Sequence, residues 1–310
     1  MITMTEAESA ALIDEDLALA AAREAFLATR TGTAFPVVLG HSGANRFTLK
    51  SGSAGALVGV KVGSYWPGND KAGLPRHSST IVLLDPDTGR LAAVVEAAAA
   101  NAYRTAAADA LAVDTLARPD SRTLTVIGTG HQALYEVRAV ARVRPIRKVL
   151  VVGRRSDAAQ AFARDVTTRT GIAAEPADAR TAIAEADVIV TATTSTRPLF
   201  DAEWVTPGTH ISAMGADRTG KQELPPALYS RALLFCDLPD QSRAIGEFQH
   251  APAVGRTAGP TPLTAVLAGD AEGRRSPDDI TVFDSSGFAL QDLTLAAALL
   301  RRRAAQEGKQ

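Results

Sequence analysis

The stretch Leu124-Thr-Val-Ile-Gly-Thr-Gly-His-Gln-Ala133 decides the fold. Its first four residues are apolar or β-branched and read as a short buried strand over 124–127. Gly128-Thr129-Gly130 then turns the chain, and a helix is expected to begin near His131. The result is G-x-G-x-x-A, a pattern in which each small residue has a separate task. Gly128 permits the tight turn, Gly130 lets backbone approach a pyrophosphate, and Ala133 lets the helix pack on the strand. Phosphate oxygens would rest on unpaired N–H groups at the helix N-terminus. Gly128, Thr129, Gly130, His131, Gln132 and Ala133 are therefore candidate cofactor-binding residues. A glycine pattern alone also fits a bare structural turn. Here the strand stands before it, and a second strand, Lys148–Val152, follows at the distance a dinucleotide site requires.

That second strand carries further information at its end. An NAD-type site places an acidic residue there, on the ribose 2′-hydroxyl. This chain has Gly153-Arg154-Arg155-Ser156 instead. Two guanidinium groups and a hydroxyl suit a 2′-phosphate, so NADP(H) is the expected cofactor, with NAD(H) possible. The alternative is a solvated basic turn.

From residue 123 onward, strands and helices alternate. Strands are expected at 124–127, 149–152, 188–191, 209–213, 233–236 and 280–283. This is the grammar of a doubly wound α/β sheet. The strand ends Thr191-Ala192-Thr193 and Met214-Gly215 are expected to line the cofactor. Asp217 lies just past the second of them, where open α/β sheets put their chemistry. A loop aspartate also serves as a turn or cap residue.

Residues 1–117 read differently. A helix is expected over 14–29 with Asp14 at its N-cap, then strands at 36–39, 46–50 and 57–62. Ser51-Gly-Ser-Ala-Gly55 should break the chain between the last two. Lys61 sits in an apolar strand, which puts its head at a rim or in a cleft. Strands at 80–84 and 91–95 flank Asp85-Pro-Asp-Thr-Gly-Arg90 as a hairpin, so this sheet is antiparallel or mixed. A helix over 101–117 follows, with Arg104 in its first turn. There an anion could be held by the guanidinium and the helix end together. The competing role for Arg104 is to hold a structural carboxylate. A final helix over 288–303 is expected to end in Arg301 to Arg303, matching its negative pole.

The whole chain bounds the remaining choices. At 310 residues it accommodates one large or two ordinary domains. The formal net charge of −1 offers no electrostatic case for nucleic acid or a membrane surface. No signal peptide and no membrane span is expected, which points to the cytoplasm. Cys236 is the only cysteine, so an intrachain disulfide and a cysteine-cluster metal site are excluded.

Several stretches together resemble the ornithine cyclodeaminase/μ-crystallin family. They are Val58-Gly-Val-Lys-Val62 ahead of a Trp-Pro-Gly-Asn loop, Ser79-Thr-Ile-Val-Leu-Leu84, Tyr103-Arg-Thr-Ala-Ala-Ala108, and the Gly128 loop. Ala213-Met-Gly-Ala-Asp217 with Gly220-Lys-Gln-Glu-Leu224, and Phe283-Asp-Ser-Ser-Gly-Phe-Ala-Leu-Gln-Asp292, complete the set. The likeness runs from about residue 10 to residue 305. It implies a substrate-binding and dimerisation domain, 1–117 with 288–310, and a Rossmann domain over 118–287. It implies a homodimer and chemistry on amino acids through imines. By matching motifs, Lys61 would contact the substrate carboxylate and assist proton transfer, Thr80 and Arg104 would bind substrate, and Asp217 would be the acid/base beside the nitrogen. The chain departs from the family in one place. Many relatives carry an arginine after the proline near the N-terminal strand, whereas Pro36 is followed by Val37 and Val38; Lys50 is the candidate for supplying that charge.

These readings lead to an NAD(P)H-dependent oxidoreductase on the C=N or CH–NH2 bond of a small imino or amino acid, iminosuccinate among the candidates. The alternatives are an ornithine cyclodeaminase-type lyase that recycles NAD+ internally, and a protein that binds NADPH and a small ligand without turnover. No metal is implied.

Overall fold

Period-two alternation across residues 45–96 builds the first of two sheets. The computed structural model describes residues 1–251 and 259–308. The chain divides into two compact units, Met1–Arg104 with Phe288–Gln310, and Thr105–Gly287. The first unit opens with β1 (Ile2–Met4), α1 (Glu6–Leu12) and α2 (Glu15–Ala28). Asp14 caps α2, accepting from the Leu17 N–H at 2.8 Å. Then come β2 (Thr33–Ala34), β3 (Val38–Ser42), β4 (Asn45–Ala54), β5 (Leu57–Tyr65), β6 (His77–Leu84) and β7 (Leu91–Glu96). The sheet order is β1-β7-β6-β5-β4-β2, with β3 also on β4. All its pairings are antiparallel except β1 on β7. β3 begins at Val38, because Pro36 has no N–H to give a ladder.

One face of this sheet is buried: Lys50, Gly52, Gly59, Lys61, Ser79, Ile81, Leu83, Ala93 and Val95. The alternate residues, Thr80 among them, lie on the opposite, half-exposed face. α3 (Ala98–Leu116) follows and crosses the boundary between the units. It starts before Asn101 because Glu6 holds its first amides, accepting from the Ala98 N–H at 2.7 Å and the Ala99 N–H at 2.8 Å. Arg104 therefore sits in the second turn, and the positive end of α3 is already occupied by a carboxylate. This corrects the expectation that Arg104 and the helix end share one anion.

The second unit is the alternating strand and helix pattern of residues 123–284. It comprises β8 (Thr123–Ile127), α4 (His131–Val143), β9 (Lys148–Val152), α5 (Ser156–Thr170), β10 (Ala173–Pro176), α6 (Ala179–Glu185) and β11 (Val188–Thr191). β12 (His210–Ala213), β13 (Ala232–Cys236), α7 (Pro239–Ile245), β14 (Thr261–Pro262), α8 (Leu263–Leu267) and β15 (Ile280–Asp284) complete it. Every pairing is parallel, in the order β10-β9-β8-β11-β12-β15-β13-β14. Both faces are covered. Leu124, Val126, Val188 and Val190 pack with Val137 and Phe162 of the helices, while Ile127, Ile189 and Ile211 pack with Ile183, Leu224 and Leu228. The order of successive strands reverses between β8 and β11, so their carboxyl ends mark the switch point where such sheets bind ligands.

α9 (Ala289–Glu307) returns to the first sheet. It covers the buried face: a Cβ on Gly52 would lie 3.1 Å from the Ala289 Cβ, and one on Gly59 3.0 Å from Leu293 Cδ2. This explains why Ser51-Gly-Ser-Ala-Gly55 does not break the chain. β4 continues to Ala54 because Gly52 makes room for a helix, and only Gly55, at φ +55°, turns. Arg301 to Arg303 do not end the helix either. Arg301 and Arg302 pair with Glu24 and Asp14 at 3.1 and 2.6 Å, and Arg303 lies 3.7 Å from Glu8. The first three turns of α9 are buried nearly all round, including Gln291, Asp292 and Thr294. Thr294 satisfies itself on the Leu290 carbonyl at 2.7 Å.

Candidate active site

Three cations converge in the first unit. The β4–β5 register sets Lys50 directly opposite Lys61 on the buried face, with 9% and 5% of their surface exposed. Two lysines so placed repel, and burial adds the cost of lost hydration. Asp292 of α9 offsets this: its Oδ1 accepts from Lys61 Nζ at 2.8 Å and lies 3.1 Å from Arg104 Nε. Asn101 and Arg104, one turn apart on α3, face the same point. Asn101 Oδ1 accepts from Lys61 Nζ at 2.6 Å and from Arg104 Nη2 at 2.9 Å. Gln291 Oε1 accepts from Arg104 Nη1 at 3.2 Å.

The ionisation of this cluster follows from its crowding. Burial, then the charges of Arg104 and Lys50, push Lys61 down to about 7, against the pull of Asp292. Burial works against the Asp292 carboxylate, but Lys61, Arg104 and Lys50 outweigh it and hold its pKa below the ordinary value. Lys61 is thus a lysine able to gain and lose a proton near neutrality. Three buried atoms here have no hydrogen-bond partner: Asp292 Oδ2, Gln291 Nε2 and Ser79 Oγ. Thr80, expected to bind substrate, lies on the other face of the sheet from Lys61, since side chains alternate along a strand. Ser79 is the hydroxyl on the face that carries Lys61.

The second unit presents the glycine loop. Gly128 adopts φ +123°, and a Cβ there would meet the Ala192 carbonyl oxygen at 2.7 Å. Gly130 is the N-cap of α4, without a side-chain cap, and among the described residues, its two chain neighbours aside, nothing lies within 4 Å of where its Cβ would be. Packing explains the first glycine and not the second; open space beside Gly130 and a helix N-terminus that Gly130 does not cap with a side chain fit a pyrophosphate. Ala133 is fully buried against the sheet. Gln132 turns aside to Glu136, donating to its Oε1 at 2.7 Å. The end of β9 lies against the loop, where a Cβ on Gly153 would sit 3.0 Å from Thr129 Cγ2. Arg154, Arg155 and Ser156 are exposed, and Arg155 Nε is 3.6 Å from Asp157.

Glu223 organises the neighbouring strand ends. Fully buried, it accepts from Thr191 Oγ1 at 2.8 Å, the Thr193 N–H at 2.7 Å, Thr193 Oγ1 at 2.6 Å and the Gly215 N–H at 2.9 Å. A Cβ on Gly215 would strike its carboxylate at 2.5 Å, which is why a glycine follows Met214. Burial raises the Glu223 carboxyl above its usual range while these donors oppose it. Asp217 is exposed, and its carboxylate lies 2.8 Å from Lys221 Nζ, which also donates to the Gly215 carbonyl at 2.6 Å.

Sequence reasoning passed over Asp292, Asn101, Gln291 and Glu223. Asp292 carried a signal, a carboxylate in a largely apolar segment, whereas Glu223, next to Lys221 and Gln222, did not stand out. Asn101 and Gln291 carried none. Among the described residues no group of three or more histidines, cysteines or carboxylates could hold a metal ion. Among them also, no helix is long and apolar enough to cross a membrane.

A parallel doubly wound unit with this loop, joined to a mixed-sheet unit with this cation cluster, defines a class of nicotinamide-nucleotide-binding proteins. The chain belongs to the ornithine cyclodeaminase/mu-crystallin family, whose sequence profile matches residues 1–308. It is 42% identical over 309 residues to the iminosuccinate reductase of Paracoccus denitrificans (strain Pd 1222), covering 97% of this chain and 96% of that one. The crystal structure of the Paracoccus denitrificans iminosuccinate reductase in complex with NAD+ superposes with a TM-score of 0.93 at 38% identity, covering 99% of this chain and 97% of that one. An archaeal alanine dehydrogenase dimer with bound NAD gives 0.89 at 31% identity, covering 99% and 97%. The Thermococcus litoralis Δ1-pyrroline-2-carboxylate reductase with NADH and L-proline gives 0.88 at 27%, covering 99% and 98%.

Proposed function

We infer that this chain is an NAD(P)H-dependent oxidoreductase acting on the C=N or CH–NH2 bond of a small imino or amino acid. The observation that carries the reading is the buried Lys61–Asn101–Arg104–Asp292 cluster, in a chain whose full-length relatives include reductases and dehydrogenases of such substrates. Arg104 and Lys61 would grip the substrate carboxylate, and fixing that group fixes the reacting carbon. Hydride addition to C=N requires a cationic imine, because protonation makes the carbon electrophilic. Asp217 is assigned the proton at the nitrogen, and Lys61, near neutrality, can exchange one as well. The nicotinamide supplies or takes the hydride.

The finer assignments rest on separate residues. NADP(H) is preferred on the strength of Arg154 and Arg155 at the exposed end of β9, which lacks a terminal carboxylate. The three structures named above contain NAD+, NAD and NADH, so this preference would distinguish the chain from them. The substrate is a dicarboxylic imine such as iminosuccinate, since Lys50, Lys61 and Arg104 bring three cations to a cluster with the single carboxylate of Asp292. The first unit binds substrate. It also forms a homodimer through the half-exposed sheet face carrying Val60, Val62 and Val82. The cytoplasm is the compartment.

The test follows the reduced-nicotinamide absorbance with NADPH or NADH, ammonia and a panel of 2-oxo acids including oxaloacetate. Steady loss of absorbance with oxaloacetate, faster with NADPH, is the expected result. Ammonia release from a diamino acid without net change of cofactor would make the chain a cyclodeaminase-type lyase. Cofactor binding without either reaction would reject catalysis.

A further inference from the structure

We propose that Gln291 is a substrate-binding residue, its side-chain N–H groups completing the carboxylate site of Arg104; the proposal rests on the imino-acid reading above. Gln291 lies in the first turn of α9 with 1% of its surface exposed. Its orientation is fixed by donors. Oε1 accepts from Arg104 Nη1 at 3.2 Å and from the Phe288 N–H at 3.3 Å, and a nitrogen at that end would face two donors with none to spare. Nε2 is thereby turned the other way, buried and without a partner. A buried N–H pair left unmade is costly, and such groups are rare unless something outside the chain takes them.

The chemistry of the missing partner can be read from the neighbours. Gln291 bonds the same guanidinium that is proposed to hold substrate, and Arg104 is held on its other side by Asn101 and Asp292. The cluster already includes an amide oxygen and a carboxylate for its cations. What Nε2 lacks is an acceptor, and an acceptor beside Arg104 is best supplied as a carboxylate oxygen, which satisfies both groups at once. Asp292 does not serve: its Oδ2 is itself without a partner and does not accept from Gln291. Gln291 thus gives the α-carboxylate a second donor beside the Arg104 guanidinium, whose charge sets the preference over a carboxamide or ester.

Two variants test this. Gln291→Glu retains an oxygen for Arg104 and the Phe288 N–H but replaces the orphan donor with an acceptor. Gln291→Met removes both ends. Steady-state kinetics with the best substrate of the panel should show KM for the imino or amino acid rising about 10–100-fold in each, the weight of a hydrogen bond to a charged group. The KM for the nicotinamide nucleotide should stay within twofold. Calorimetric binding of succinate, which needs no turnover, should weaken by a similar factor. The preference for an amino acid over its amide as competitive inhibitor should fall at least tenfold in Gln291→Glu. The proposal is overturned if substrate KM and succinate affinity stay within twofold of wild type, or if both variants lose melting temperature and cofactor affinity together with substrate affinity. Failure of wild-type protein to turn over any imine would reject the functional reading instead, and succinate binding would still decide the role of Gln291.

Discussion

In the first unit, the groups assigned to substrate are side chains under cover. Lys61 is 5% exposed, and Arg104 is held by Asn101, Gln291 and Asp292. In the second unit, the groups assigned to cofactor and proton transfer are open: backbone amides at the start of α4, exposed Arg154 and Arg155, and exposed Asp217. The difference follows from what each must recognise. A small carboxylate offers few contacts, so its cations must be aimed in advance and dried. A dinucleotide is long, and most of its contacts go to backbone at the switch point of a rigid sheet. Mutations in the first unit should therefore disturb several partners together, and those in the second should act one contact at a time.

Asp217 gives the largest expected effect of this second kind. Asp217→Asn keeps size and hydrogen bonding but cannot carry a proton. Turnover should fall by about 10²–10⁴, the usual worth of general acid–base help. Cofactor affinity should barely change, and melting temperature should fall by no more than a few degrees, because Asp217 is exposed and its buried partner Lys221 keeps its hydrogen bond to the Gly215 carbonyl. If the residue is only a turn former, turnover will stay within threefold of wild type and the pH profile will keep both limbs.

Next in size is cofactor choice. Replacing Arg154 and Arg155 together by Ala should raise the KM for NADPH roughly tenfold or more, the contribution of charge-assisted contacts to a phosphate, and leave that for NADH nearly unchanged. Equal weakening of the two cofactors would assign the arginines to a solvated turn.

The coupled behaviour expected of the first unit is tested by Asp292→Asn. Lys61 titrates near 7 in the native protein, so affinity for an anionic substrate should decline as pH rises through that value. Asp292 opposes the other influences on Lys61, and removing its charge should move this limb to lower pH by roughly one unit or more. The sign for stability runs the other way. The folded pKa lies below the ordinary 10.5, so the folded state binds fewer protons between about 7 and 10.5, and this contribution to stability grows as pH rises through that window. Urea midpoints and kcat/KM measured across the same pH range should show both trends. A limb unmoved in Asp292→Asn would detach Lys61 from the profile.

The second unit was the more legible in sequence, for the reason that makes it open. Its strands are short apolar runs and its loop is written in glycines, which are local signals. Lys148–Val152 and Val188–Thr191 are formed where the alternation put them. The first unit depends on contacts far apart in the chain. Glu6 reaches the start of α3, and Asp292 reaches Lys61 from the C-terminal helix. Those contacts moved Arg104 out of the first turn and supplied the carboxylate that no local pattern around Lys61 displays. Thr80 is separated from Lys61 for a simpler reason: naming a residue in a strand does not name its face, and only the register with Lys61 does.

The smallest effects come from the two glycines of one loop. Gly128 and Gly130 have separate tasks in the motif, and their surroundings differ accordingly. At Gly128 an added methyl would enter a left-handed backbone conformation and meet the Ala192 carbonyl oxygen at 2.7 Å. Gly128→Ala should therefore destabilise the fold by about 1–3 kcal/mol, seen as a melting temperature lower by several degrees. At Gly130 the backbone has an ordinary φ of −87° and the methyl would project into open space. Gly130→Ala should melt with wild type, or slightly above it, because alanine restricts the unfolded chain more than glycine does. Its defect should appear only when a nicotinamide nucleotide is titrated in, as affinity weakened by a methyl that stands where a pyrophosphate would approach. Loss of stability in both variants, with cofactor affinity following it, would make the loop a structural turn throughout. Stability lost in one and affinity lost in the other would separate the glycine that the fold requires from the glycine that the ligand requires.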